Sequence, residues 1–593
     1  MTFDVQSARA QVPLGTDAGF AWLRVESAVD LGERVLVVGW RSKTVDLVVR
    51  EQGEPLEATT RVRARPDVAQ ALELSSGEDL GFAIVVAPAR GGRLTIAWDL
   101  PEAPEIELEV ATMVRGALTS TMGSSYLLDI AASLTPFSRD WHALVDGTVG
   151  RPAERSEIAG NLELGLAPVG GGVGIVSGWV VSEIARDAVW LEAADGAIAR
   201  LDAAEWRDRS DVAEAFEQRL PIQSARPGFS VLLRAAPGDR LRLRAVIEGE
   251  VLEVGETLVG TLPEDPRRAA EVVFSQASSS MNRFRRFADA VARPVLEPII
   301  LGRVRQWASL PVEMKILGAP NAAPDVSIIV PLYGRVDFME HQLEELVRDA
   351  WFATHGELVY VVDDPRIVDA CMTQAAALHA LYRVPMTIVW GSANRGYSGA
   401  NNLGAARARG RKLLFLNSDA IPQRPGWLES LVASLDASPQ RGAVAPRLLF
   451  ADGSIQHARM SFRHRADLGV WVNHHPSMGL DPALDPAGTE DVEVPAITGA
   501  CLLVAREDFD AIGGWDTGYL IGDFEDSDLC LRLRELGRTI VYHPATQLTH
   551  LERQSLSGLG EPGFRMKVVI YNAARHQARW APILEELSND RES

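Results

Sequence analysis

Short apolar runs separated by Gly, Pro and charged turns fill the first 260 residues. RVLVVGW (34–40), VDLVVRE (45–51), FAIVVA (82–87) and RLTIAWDL (93–100) read as strands. A similar set returns as GIVSGWVV (174–181), AVWLEA (188–193), FSVLLRA (229–235) and RLRLRAVI (240–247). The two sets share landmarks in the same order. Gly39-Trp40 matches Gly178-Trp179, the segment Arg65 to Ala69 (RPDVA) matches Arg209 to Ala213 (RSDVA), and Gly81-Phe82 matches Gly228-Phe229. The pattern predicts a duplicated β-sandwich, 1–111 and 161–260. The tryptophans read as core residues or as sugar-stacking platforms. The RPDVA and RSDVA segments read as short helices or turns with Asp67 or Asp211 near the start.

Helical periodicity marks the connectors. SSYLLDIAASL lies in 112–160, and MNRFRRFADAVARPVLEPIILGRVRQWASL lies in 261–320. The second stretch mixes Arg with Phe, Leu, Ile and Trp. That suits a packing helix between domains, and it is also the composition of a helix lying on a membrane surface. From 321 to 593 strand-like and helix-like runs alternate: VSIIVPLY, MEHQLEELVRDA, ELVYVVDD, VDACMTQAAALHALY, MTIVWG, GANNLGAARARG, RKLLFLNSD. Such alternation predicts a mostly parallel, Rossmann-like sheet flanked by helices. Ligands bind outside the carboxyl ends of strands in such sheets. The fold expected is thus multidomain, all-β followed by α/β.

Length and charge narrow the function. At 593 residues the chain exceeds one hydrophobic core. A formal net charge of −21 argues against nucleic acid as a partner. Three cysteines, Cys371, Cys501 and Cys530, make no CxxC pair and suit a reducing compartment. The opening MTFDVQSARAQVPLG has no basic start followed by an apolar run, and no stretch approaches the ~20 apolar residues of a membrane span. A cytoplasmic protein, working at most peripherally on the inner face of a membrane, is the expectation.

Four strand ends carry candidate chemistry: Pro331 to Tyr333, Asp363-Asp364, Asn394 to Asn402, and Asn417-Ser418-Asp419. With ITGACLLVARE, GGWDTGYLIGDFEDSDLCLRLRELG and THLERQS they resemble glycosyltransferase family 2, an inverting family with a GT-A catalytic domain, over residues 325–585. The resemblance implies transfer of a sugar from a UDP- or dTDP-type donor to a saccharide or lipid-linked saccharide acceptor, in the setting of cell-surface polysaccharide. It implies a divalent cation, Mn2+ or Mg2+, held by Asp419 and His550. It places Asp526 as the base that deprotonates the acceptor, with Glu525 beside it. Pro331, Tyr333, Asp363, Asp364, Asn394, Arg395, Gly399, Asn402, Asn417 and Ser418 would hold the donor. Trp515 and Asp516 would face the acceptor. Position at a helix start would keep Asp526 ionised. His474-His475 resembles a metal pair but lacks partner spacing, and reads as exposed or acceptor-facing. A non-catalytic carbohydrate-binding scaffold is the alternative. The sugar, the linkage and the number of subunits stay open.

Overall fold

A computed structural model describes residues 10–13, 20–42, 45–73, 79–89, 92–99, 103–112, 130, 134, 138, 140–141, 144, 151–154, 158–182, 189–193, 198–216, 226–247, 250–551 and 562–589. Most of the 112–160 connector therefore lies outside the described residues. The chain divides into two compact units, Met1–Gly260 and Thr261–Ser593.

In the first unit the strands Phe20–Asp30, Val35–Arg41, Gly81–Val86 and Ala58–Arg63 are neighbours in one sheet, and Glu54–Pro55, Leu47–Glu51, Leu94–Trp98 and Ile106–Glu107 form a second. Further along, Ile158–Ala167, Gly172–Ser182, Gly228–Ala235 and Glu205–Arg207 are neighbours in a third sheet. Ile198–Arg200, Val189–Ala193, Arg240–Ile247 and Glu250–Leu258 are neighbours in a fourth.

The shared landmarks have physical causes. A Cβ on Gly39 would sit 2.0 Å from the Arg24 carbonyl oxygen and 2.7 Å from the Phe82 ring. One on Gly178 would sit 2.2 Å from the Asn161 oxygen and 3.1 Å from Phe229. Phe82 and Phe229 are core residues, fully buried. Trp40 packs with Val68 and Ala69, and Trp179 with Val212, so each half-buried ring covers a short helix. The helices are Pro66–Ala71 and Ser210–Phe216. Each first strand carries a register shift, at Val25/Ser27 and at Leu162/Leu164. The skipped residue is a glutamate both times, and Glu26 pairs with Arg65 as Glu163 pairs with Arg209.

The second unit is mixed α/β. Its central strands Met386–Gly391, Gly356–Val362, Val326–Leu332 and Lys412–Leu416 run parallel. The sheet is less parallel than the alternating pattern predicts. Val312–Leu317 joins one side antiparallel, and Cys501–Ala505 joins the other antiparallel to Lys412–Leu416. Beyond it, Arg441–Leu449 runs parallel to Thr539–His550. Short apolar runs do not encode direction, which accounts for the difference. Helices cover both faces. Leu343, Leu346, Leu378 and Leu431 pack on one face, and Ala400, Leu529, Leu533 and Trp580 on the other.

The 261–320 stretch is part of this unit rather than a free connector. Its helices Pro266–Ser275, Met281–Phe287 and Arg293–Trp307 bury Phe274, Phe284, Phe287 and Leu296. Phe274 meets Phe564 and Tyr571 of the C-terminal helix Pro562–Asn589 at 5.8 and 5.7 Å. Its apolar side chains thus have protein partners, as the packing reading expects. Among the described residues no helix is long and apolar enough to cross a membrane.

Candidate active site

A cavity of about 680 Å3 opens at the carboxyl ends of the parallel strands. Pro331 lies at the end of one strand and Tyr333 just after it, Asp363 follows the next, and Asn417, Ser418 and Asp419 follow the fourth. All of them line the cavity, with Asn394, Arg395, Glu525, Asp526 and His550.

Asp419 and His550 meet through strand pairing. Ala420–Pro422 pairs antiparallel with the end of Thr539–His550, Ala420 opposite His550. Asp419 Oδ1 then lies 3.2 Å from His550 Nε2. His550 Nδ1 lies 2.6 Å from Gln456 Oε1. An amide oxygen only accepts, so Nδ1 carries a proton; in the neutral ring Nε2 keeps its lone pair, 3.2 Å from the Asn417 amide nitrogen and beside Asp419. Two lone pairs facing one point suit a cation between them, and an imidazole nitrogen with a carboxylate oxygen suits Mn2+. Gln456 also donates from Nε2 to the His550 carbonyl at 3.1 Å, so one amide grips both ends of the histidine. No signal in its own segment marked this residue. Among the described residues no group of three or more His, Cys, Asp or Glu side chains gathers to hold a metal.

Asp363 is 5% exposed and accepts from the Arg395 amide at 2.7 Å. Burial pushes its carboxyl up to about 8, against those backbone hydrogen bonds. Arg395 precedes the helix Gly396–Ala405, and Gly396 there has φ of 68°.

Glu525 and Asp526 open the helix Glu525–Glu535. Asp526 accepts from Gly499 N at 3.3 Å and Ser527 N at 2.8 Å. Burial lifts both carboxyls, Asp526 to about 6 and Glu525 well above the ordinary range, with Asp523 adding like charge to each. The sequence expects the helix start to keep Asp526 ionised; desolvation outweighs that effect, so this carboxyl ionises only as pH rises through about 6. Glu525 Oε2 is buried without a hydrogen-bond partner. The turn before the helix is strained: Ile521, Asp523 and Phe524 have φ of 66°, 77° and 75°. Asn572 holds that turn, donating to Leu520 O at 3.0 Å and Gly522 O at 2.6 Å while accepting from Leu520 N at 2.9 Å.

Five expected site residues do not line the cavity. Trp515 is 2% exposed and packs edge-on against Tyr397 and Phe415 at 5.3 and 5.1 Å. Asn402 clamps the Trp515 backbone through both amide atoms at 2.9 Å. Gly399 makes room for Trp307, whose ring a Cβ would meet at 2.9 Å. Asp364 caps the turn at Pro365–Ile367 and pairs with Arg366 at 2.8 Å. Asp516 pairs with Arg575 at 2.9 Å. Each spends its polar or steric feature on a neighbour, so none is turned to the cleft. His475 meets His457, not a metal partner, with the two Nδ1 atoms 3.0 Å apart.

The family model for Glycosyl transferase family 2 matches residues 327–513. Relatives fit that match. The O-antigen biosynthesis protein RfbC of Myxococcus xanthus is 30% identical over 41% of this chain and 19% of its own length. The pre-mycofactocin glycosyltransferase of Mycobacterium tuberculosis is 28% identical over 48% of this chain and 56% of its own. The N-acetylglucosaminyl-diphospho-decaprenol L-rhamnosyltransferase of the same organism is 28% identical over 27% and 54%. The chain thus spans less than two thirds of each of these relatives.

Proposed function

Because residues 327–513 belong to glycosyl transferase family 2, we propose that the chain is an inverting glycosyltransferase that moves a sugar from a nucleoside diphosphate donor of the UDP or dTDP type to a saccharide or lipid-linked saccharide. The supporting observation is that Asp419, His550 and Asp526 line one cavity. Asp419 and His550 would hold Mn2+ or Mg2+. When bound, the cation offsets charge on the departing diphosphate.

The chain's own residues do the rest. Pro331 and Tyr333 line the nucleoside slot. Asp363 accepts the N3–H of a uracil or thymine ring. Asn394, Arg395, Asn417 and Ser418 border the donor. Asp526 takes the proton of the acceptor hydroxyl as that oxygen attacks the anomeric carbon from the face opposite the leaving group. Glu525, its carboxyl lifted well above the ordinary range by burial, stands beside Asp526 and orients the acceptor. Cell-surface polysaccharide assembly in the cytoplasm fits this chemistry. Residues 1–111 and 161–260 act as a duplicated pair of sandwiches that present the acceptor. The paired Glu26–Arg65 and Glu163–Arg209 contacts and the matched glycines support that duplication.

Asp526→Asn is the test. Transfer should fall by about 10²–10⁴-fold with donor affinity retained. Loss of donor affinity would make Asp526 structural and overturn the assignment.

A further inference from the structure

One wall of the cavity comes from outside the family segment. Ile300, Arg303 and Trp307 lie on the helix Arg293–Trp307, three and four residues apart, so they share a face. Phe564, Arg565 and Val568 lie in the first turns of Pro562–Asn589. All six line the same cavity as Asp419, His550 and Asp526. The donor reading uses none of them.

The two arginines differ from those around them. Arg293 pairs with Asp289 and Glu297, and Arg575 with Asp516 and Glu297. Among the described residues, Arg303 and Arg565 make no hydrogen bond or ion pair. Both are half-buried. A half-buried guanidinium with no counter-charge bears a desolvation cost that an incoming anion relieves, and its planar fork matches phosphate oxygens. On the same two helices Ile300, Trp307, Phe564 and Val568 are apolar, while Asp265, Pro266 and Arg267 line the cavity from the start of the helix Pro266–Ser275.

We infer that this wall receives an acceptor whose phosphate or diphosphate is joined to an apolar chain. Arg303 and Arg565 take the phosphate oxygens, and the four apolar side chains cover the first carbons of the chain. The sugar to be extended then lies toward Asp526. This rests on the donor reading of the Asp363 and Asp419 end.

The test is calorimetry of farnesyl diphosphate on the full chain, with UDP and Mn2+ saturating so that the donor end is filled. Inorganic diphosphate and farnesol separate charge from chain. Farnesyl diphosphate should bind, with each control about tenfold weaker or worse. Arg303→Ala and Arg565→Ala should each weaken it by about tenfold, while UDP affinity stays within about twofold. Arg303→Lys and Arg565→Lys keep the charge and guard against misfolding; they should lose less than the alanine variants. Unchanged farnesyl diphosphate affinity in the double alanine variant would overturn the inference. So would an equal loss of UDP affinity, which would assign the arginines to the donor. Inorganic diphosphate binding as tightly as farnesyl diphosphate would refute the apolar half. A wild-type chain that binds neither UDP nor dTDP would overturn the donor reading, and this inference with it.

Discussion

At the scale of single residues, the site is set by which lone pairs and protons face each other. His550 is useful because Gln456 fixes its tautomer. Removing such an outer partner costs about 10–100-fold in metal affinity. Gln456→Ala should therefore weaken Mn2+ by that much in a titration, with nucleoside recognition through Asp363 intact. Burial lifts Asp526 from an ordinary 3.8 to about 6. A base must be ionised, so kcat/KM should rise with pH through about 6. Asp523 adds like charge there, so Asp523→Asn should move that limb to lower pH; a limb that stays put would remove Asp526 as its source. The folded value lies above the unfolded one. The stability contribution of this carboxyl is therefore complete at low pH and is lost as pH rises through about 6. Asp419 and Asp526 are legible through the family resemblance, since a carboxylate after a buried strand or at a helix start is by itself most often a turn former or a cap. Gln456 is not, since its role depends on a partner 94 residues away.

Among the elements, the strained turn before Glu525–Glu535 decides where the two carboxyls point. Three non-glycine residues in the left-handed region persist only if neighbours hold them. Asn572 supplies three hydrogen bonds to that turn. Asn572→Ala should cost about 1–3 kcal/mol of stability in a denaturant melt, and should lower kcat more than donor affinity. An unchanged kcat would leave Asn572 as a helix dock only. The hold of Asn572 on that turn is not legible in the sequence, because the contact joins segments about 50 residues apart. Trp515, Asp516 and Asn402 went the other way. A polar or aromatic residue in a motif can face the cleft or the core, and strand–helix alternation does not say which. Here the Asn402 amide is spent on the Trp515 backbone.

For the whole molecule, the boundary of the second unit falls at Thr261, ahead of the family match. The helices from 266 to 307 read as a connector because their apolar residues have no visible partner in sequence; the partners of Phe274 lie about 290 residues on, in the C-terminal helix. Deleting 1–260 should leave donor hydrolysis intact and change the range of acceptors. Deleting 1–310 should abolish both, since it strips Phe274, Phe284 and Leu296 from the core. The central claim is that a cation pair and a deprotonating carboxylate share one cleft. Anomalous diffraction from crystals grown with Mn2+ and UDP tests it most directly. The account predicts one Mn2+ peak bonded to Asp419 and to Nε2 of His550, with the diphosphate on the same ion and the open face toward Asp526. A peak bonded elsewhere, or a diphosphate lying away from Asp419, would contradict it.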